Sequence, residues 1–128
     1  MAETVDAISM IELLIDNYPD HQVVIGGDLN TELKSESPFD VMWNDLMAKK
    51  QLTYCDQYVT SLHYTYRHDS LNQTKFNDHF LVSKAILAKN ITHDHVILDE
   101  GSNTSDHLPL LMKLSLQFKR SNPLPNTQ

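Results

Sequence analysis

Apolar residues recur at helical spacing near the start of the chain, at Val5, Ile8, Ile11 and Ile15, with Ala7 and Leu14 beside them. This predicts an amphipathic helix over Thr4–Tyr18. Thr4 is the expected N-cap. Pro19 closes the helix, because the residue before a proline is pushed out of the helical region. After a turn at Asp20-His21, the run Val23-Val24-Ile25 predicts a buried strand over Gln22–Gly26, which stops at Gly26-Gly27. Thr31–Ser37 reads as a polar loop. Ser37-Pro38 then starts a second helix, with serine as N-cap and proline at the first helical position. Along Phe39–Lys50, the residues Phe39, Trp43, Leu46 and Met47 share a face that is expected to pack on the core, and Lys49-Lys50 complement the helix dipole.

The second half of the chain is strand-like. Leu52–Thr60 is rich in β-formers, Tyr64–Arg67 alternates, and His68–Lys75 reads as a polar turn region. In Phe76–Ser83 the alternation places Phe76, Asp78, Phe80 and Val82 on one parity. An aspartate on that parity is a misfit, and a carboxylate held there needs a partner. A further strand is expected around His95-Val96-Ile97-Leu98, a loop over Gly101–Ser105, and a last strand with Leu110, Met112, Leu114, Leu116 and Phe118 on one face. The tail, residues 119–128, has two prolines and no periodicity, and is expected to be disordered. Strands that do not alternate regularly with helices predict an α/β layered sandwich rather than a doubly wound parallel sheet.

Composition narrows the function classes. A chain of 128 residues with 41% apolar residues is expected to form one domain, here over residues 1–118. Its sequence has no apolar run long enough to span a bilayer and no signal peptide, so no membrane partner is expected. A single cysteine, Cys55, fits a reducing, intracellular setting, nuclear or cytoplasmic. A net charge of −7 argues against a non-specific nucleic-acid coat. It remains compatible with an enzyme that meets phosphate through a divalent cation, which clustered carboxylates would hold. The 7 histidines are scattered, and His21, His63, His68, His93 and His95 are expected to be surface or structural.

Candidate chemistry gathers in three short segments: Gly27-Asp28-Leu29-Asn30, Asn77-Asp78-His79-Phe80 and Ser105-Asp106-His107-Leu108-Pro109. Phosphodiester hydrolysis needs charge neutralisation, a proton acceptor for water, donors to the transition state and help for the leaving oxygen. Asp28 can orient and deprotonate water, and the Asn30 amide can donate to a phosphate oxygen. His107 can contact phosphate or act as acid or base, with Asp78 behind it holding the ring. Asp106 can ligate a divalent cation or orient one of its waters. Taken alone, Asp28 and Asn30 also fit a simple turn, and Asp106-His107 a loop before a strand.

VVIGGDLNTEL resembles the G-D-F-N segment of the endonuclease/exonuclease/phosphatase superfamily, FNDHFLVS its later strand segment, and SNTSDHLPL its terminal S-D-H motif. They stand in the same order and at wide separation. The stretch from Tyr64 onward is most similar to the apurinic-endonuclease-like domains of LINE-type (non-LTR) retrotransposons, which accompany reverse transcriptases. The resemblance covers roughly Glu3 to Phe118, with Leu29 where phenylalanine is usual and Asn77 where an apolar residue is usual. It implies a four-layer α/β/β/α sandwich, Mg²⁺ or Mn²⁺ at the strand ends, DNA as substrate, and hydrolase activity as a nuclease. It carries Asp28, Asn30, Asp78 and His107 over as catalytic, and Asp106 and Asp28 as metal ligands.

The family's first half also supplies an asparagine and a metal-binding glutamate, and nothing in this sequence matches them. The expectation is therefore a C-terminal half-domain, inactive alone and taking Mg²⁺ or Mn²⁺ only with the missing half present, whose uncovered apolar sheet face favours self-association. The alternatives are a non-catalytic remnant or binding module, and a phosphoinositide phosphatase or sphingomyelinase of the same superfamily.

Overall fold

The computed structural model describes residues 2–33, 35–55, 64–86, 91–92, 105–108, 110 and 112–114. The elements are helix α1 (Ala2–Asn17), strand β1 (Val24–Asp28), helix α2 (Pro38–Lys50), strand β2 (Leu52–Tyr54), strand β3 (Tyr66–His68), a 3-10 turn (Asp69–Leu71), strand β4 (Gln73–Lys75), strand β5 (Asp78–Ser83) and the short strands β6 (Ile91–Thr92) and β7 (Lys113–Leu114). Expectations for His95–Leu98, for the chain beyond Cys55 in the Leu52–Thr60 segment, for the last strand beyond Leu114 and for the tail lie outside the described residues.

Local chemistry accounts for the best-defined element. Ser37 caps α2: its side chain accepts from the Asp40 amide at 3.2 Å, and Pro38 opens the first turn, where a missing N–H costs nothing. Asp40, buried in that turn, accepts from the Glu36 amide at 2.8 Å and from the Asn44 side chain at 2.9 Å. The helix ends on Gln51 in the left-handed conformation, whose N–H reaches the Met47 carbonyl. At its start α1 differs from expectation. The helix opens at Ala2, so Thr4 is a buried residue inside the first turns and not the cap. Only part of the expected stripe is covered: Ile8 is buried and Ile11 and Ile15 half-buried, whereas Val5 and Leu14 stay exposed.

β1, β5 and β2 form an antiparallel sheet in the order β1-β5-β2. Register pairs Ile25 with Leu81 and Tyr54 with Leu81, and these residues share the face that packs on Ile8, Trp43, Leu46 and Met47 of the helices. Trp43 is therefore covered. The opposite face carries the pairs Val24–Val82, Gly26–Phe80 and Asp28–Asp78.

β5 is the middle strand of the sheet, paired with β1 on one edge and β2 on the other. His79 and Leu81 are buried toward the helices, and Val82 is buried on the other parity. The single apolar parity expected for this strand is replaced by burial on both parities. The polar region His68–Lys75 also differs: it closes a β3–β4 hairpin through the 3-10 turn and Asn72, whose φ is 49°. The described residues thus form an α/β arrangement of helices and antiparallel sheets, and among them no helix is long and apolar enough to cross a membrane.

Gly26 is required by close approach. A Cβ there would sit 2.7 Å from Phe80 Cε1 and 2.9 Å from Cδ1. Gly26→Ala should destabilise the fold by about 1–3 kcal/mol in urea titration. Adding Phe80→Leu should recover most of that loss, and an unchanged midpoint in the single variant would contradict the contact.

Candidate functional site

Asp28 ends β1 and Asp78 begins β5, directly opposite one another in register. Two like charges across an antiparallel pair repel, so something must compensate. His107 does. Its Nδ1 lies 2.8 Å from Asp78 Oδ2, and its Nε2 lies 3.8 Å from Asp28 Oδ2 and 4.0 Å from Asp106 Oδ1. The carboxylate can only accept, so Nδ1–H donates to Asp78 and Nε2 is left facing the other two acids. The hydrogen bond to Asp78 raises the His107 pKa above 6.5. Burial pushes against it, and the negative charges of Asp78, Asp28 and Asp106 add to the rise.

Backbone pairing delivers His107 to this place. Residues 105–108 run beside β3: His107 bridges to Tyr66, the Arg67 amide donates to the Asp106 carbonyl at 3.0 Å, and the Leu108 amide donates to the Thr65 carbonyl at 2.7 Å. The Tyr66 ring lies against the imidazole with centroids 4.9 Å apart. Ser105 Oγ accepts from the His107 amide at 3.1 Å, which shapes the approach to the ring. Asn30 stands on the exposed turn after β1, with φ 57° and its amide donating to Asp28 Oδ1 at 2.8 Å. That is the local side-chain turn expected of Asp and Asn, and it sets the Asn30 backbone beside the Asp28 carboxylate.

All five sequence-predicted residues therefore lie in or beside one cluster, although Asp28, Asp78 and His107 come from three separated segments. Asp28, Asp78 and His107 each offer a ligand atom within 4.8 Å of one another, and Asp106 stands at the rim with its side chain 63% exposed. The grouping can hold a cation through carboxylate oxygens. With His107 protonated, it can donate to an anion.

Sequence reasoning passed over Thr65. It is fully buried, its Oγ1 accepts from the Asn77 amide at 2.9 Å and the Asp78 amide at 3.0 Å, and its carbonyl receives Leu108. One side chain thus joins the start of β5 to the His107 segment. Within Tyr64-Thr65-Tyr66 a threonine reads only as a β-former, and no feature of the sequence singles it out. Tyr66 and His79 were passed over in the same way. Neither protein-family models nor curated proteins give a match to this chain.

Thr65→Val leaves two amide hydrogens without their acceptor and should cost about 2 kcal/mol or more, whereas Thr65→Ser should cost much less. Denaturation of the two variants checks this. A second expectation concerns pH. Because the folded-state pKa of His107 is raised, its pairing stabilises the protein fully below about 6.5, the usual histidine value, and that contribution is lost as pH rises through the raised folded value. In metal-free buffer, NMR titration should show the His107 midpoint falling in Asp78→Asn, and the alkaline loss of stability should flatten.

Proposed function

We propose that the cluster is a divalent-cation-dependent phosphodiester-cleaving site of the endonuclease/exonuclease/phosphatase type, acting on DNA as in LINE-type retrotransposon endonucleases, in the nucleus or cytoplasm. The observation that carries this reading is the Asp78–His107 clamp set opposite Asp28. An aspartate behind a histidine, with a second acid facing the other ring nitrogen, suits attack on phosphate better than a structural turn does.

In this reading Asp28 orients the attacking water and takes its proton, and the Asn30 carboxamide donates to a phosphate oxygen. His107, kept protonated by Asp78, donates to the phosphate as negative charge builds. Magnesium usually binds one or two carboxylates and keeps waters and substrate phosphate for its other positions. Asp28 and Asp106 fit that pattern: both are oxygen donors with open side chains, 38% and 63% exposed. Asp78 is already engaged by His107. Bound there, Mg²⁺ or Mn²⁺ would neutralise phosphate charge and lower the pKa of a bound water.

The same reading supplies a second sheet and helix layer, completing a four-layer α/β/β/α sandwich. In support, both described long helices lie on one side of the β1-β5-β2 sheet, and Val24 on the other parity is 47% exposed. Without such a cover, that face would favour self-association. A second reading is a non-catalytic binding module: among the described residues of the cluster, Asp28 and Asp106 are the carboxylates not hydrogen-bonded by His107, and such a pair holds Mg²⁺ weakly unless substrate phosphate completes its shell. Calorimetry with Mg²⁺ separates the two, because tight binding by this chain would contradict the module. A phosphoinositide phosphatase or sphingomyelinase would use the same residues on a lipid headgroup phosphate, and is tested by substrate.

The chain, alone and joined to a superfamily first half-domain, should be incubated with abasic and nicked DNA plus Mg²⁺. Cleavage is expected in the joined form, reduced about 100-fold or more by Asp28→Ala or His107→Ala. Activity unchanged in either variant would remove the site assignment.

A further inference from the structure

Successive residues of a strand act on opposite faces, and the first two residues of β5 use both. Asp78 holds His107 on the carboxylate face. His79, 1% exposed, turns toward the helices, opposite Gly27 in register, with the Phe76 ring beside it at 5.4 Å. Its Nε2 lies 2.6 Å from the Thr31 carbonyl oxygen. A carbonyl only accepts, so this nitrogen carries the proton and donates.

Thr31 is the residue after Asn30. It is buried, and its hydroxyl is 2.9 Å from Ser37 Oγ, the cap of α2. On the other side of Asn30, Leu29 is buried, its amide donates to the Asn77 carbonyl at 2.8 Å, and its carbonyl accepts from Trp43 Nε1 at 3.1 Å. Asn30 is thus one exposed residue between two anchored neighbours. It keeps a left-handed φ of 57°, a conformation that asparagine tolerates better than most non-glycine residues.

We propose that His79 is a positioning residue for Asn30. By donating to the Thr31 carbonyl it fixes the downstream end of the Asp28–Asn30 turn, so β5 sets His107 through Asp78 and Asn30 through His79. The role of Asn30 rests on the phosphodiesterase reading; the hydrogen bond does not. Leucine at position 79 removes the donor. Glutamine keeps one, on a side chain of similar reach.

In the wild-type chain, long-range ¹H–¹⁵N spectra should show the His79 ring as the Nε2–H tautomer with a slowly exchanging proton. An Nδ1–H tautomer overturns the proposal. In His79→Leu the amide and carboxamide resonances of Asn30 should shift or broaden while the ring resonances of His107 stay at their wild-type positions. In His79→Gln the Asn30 resonances should return near their wild-type positions. Asn30 resonances that stay put in the leucine variant, or that glutamine fails to restore, overturn it. So does an equal displacement of the His107 ring resonances, which would make His79 a packing residue. If the leucine variant does not fold, the wild-type tautomer and the Asn30 resonances of the glutamine variant decide. Failure of the phosphodiesterase reading is separate: it appears as absent Mg²⁺-dependent cleavage by every form, with the His79 results intact.

Discussion

Two carboxylates face each other across neighbouring antiparallel strands, and the rest of the site follows from how that repulsion is met. Asp28 and Asp78 are register partners at the ends of β1 and β5. Placed there without compensation they would weaken the sheet at its edge. His107 enters from a third segment and hydrogen-bonds one of them while facing the other. The pair raises the ring's pKa, and the protonated ring tolerates the pair. In the proposed reading, charge that is awkward for folding alone is what would bind a cation or a phosphate.

The fold serves that arrangement by clamping backbone on both sides of it. Below the sheet, α2 contributes the Trp43 indole to the Leu29 carbonyl, and His79 reaches the Thr31 carbonyl, so the turn after β1 is held from the core. Beside the sheet, Thr65 gathers the Asn77 and Asp78 amides and the Leu108 amide onto one buried residue. These are neutral hydrogen bonds in places with little water, where each unmet group costs more than each made bond gains. The side chains that meet solvent at the site are thereby carried on backbone that is fixed from beneath.

The sequence was informative where one segment decides its own structure. Ser37-Pro38 announced α2 by capping chemistry alone, and the apolar run Val23–Ile25 announced β1, although the strand starts at Val24, runs through both glycines to Asp28 and is mostly exposed where a buried strand ending at the glycines was expected. Asp78 stood out because it interrupted an alternating pattern, and its partner is now visible as His107. Legibility ended where partners come from far away. The β3–β4 hairpin was hidden because Gln73–Lys75 is exposed on every residue and carries no alternation. Thr65 and His79 looked like ordinary strand residues, since their importance lies in backbone atoms they reach across the fold. The assignment of α1 erred at Thr4 for a related reason: the residue is a good cap in isolation, but helix continues N-terminal to it and packing buries it.

Paramagnetic Mn²⁺ added in small amounts to ¹⁵N-labelled protein tests the central claim most directly, because broadening falls steeply with distance from the bound ion. The account predicts selective loss of the amide signals of Asp28, Asn30, Asp106 and His107, reversed by excess Mg²⁺. Broadening spread over exposed acids of α1 such as Glu3, Asp6 and Asp16, with the signals around His107 intact, would contradict a cation site at this cluster.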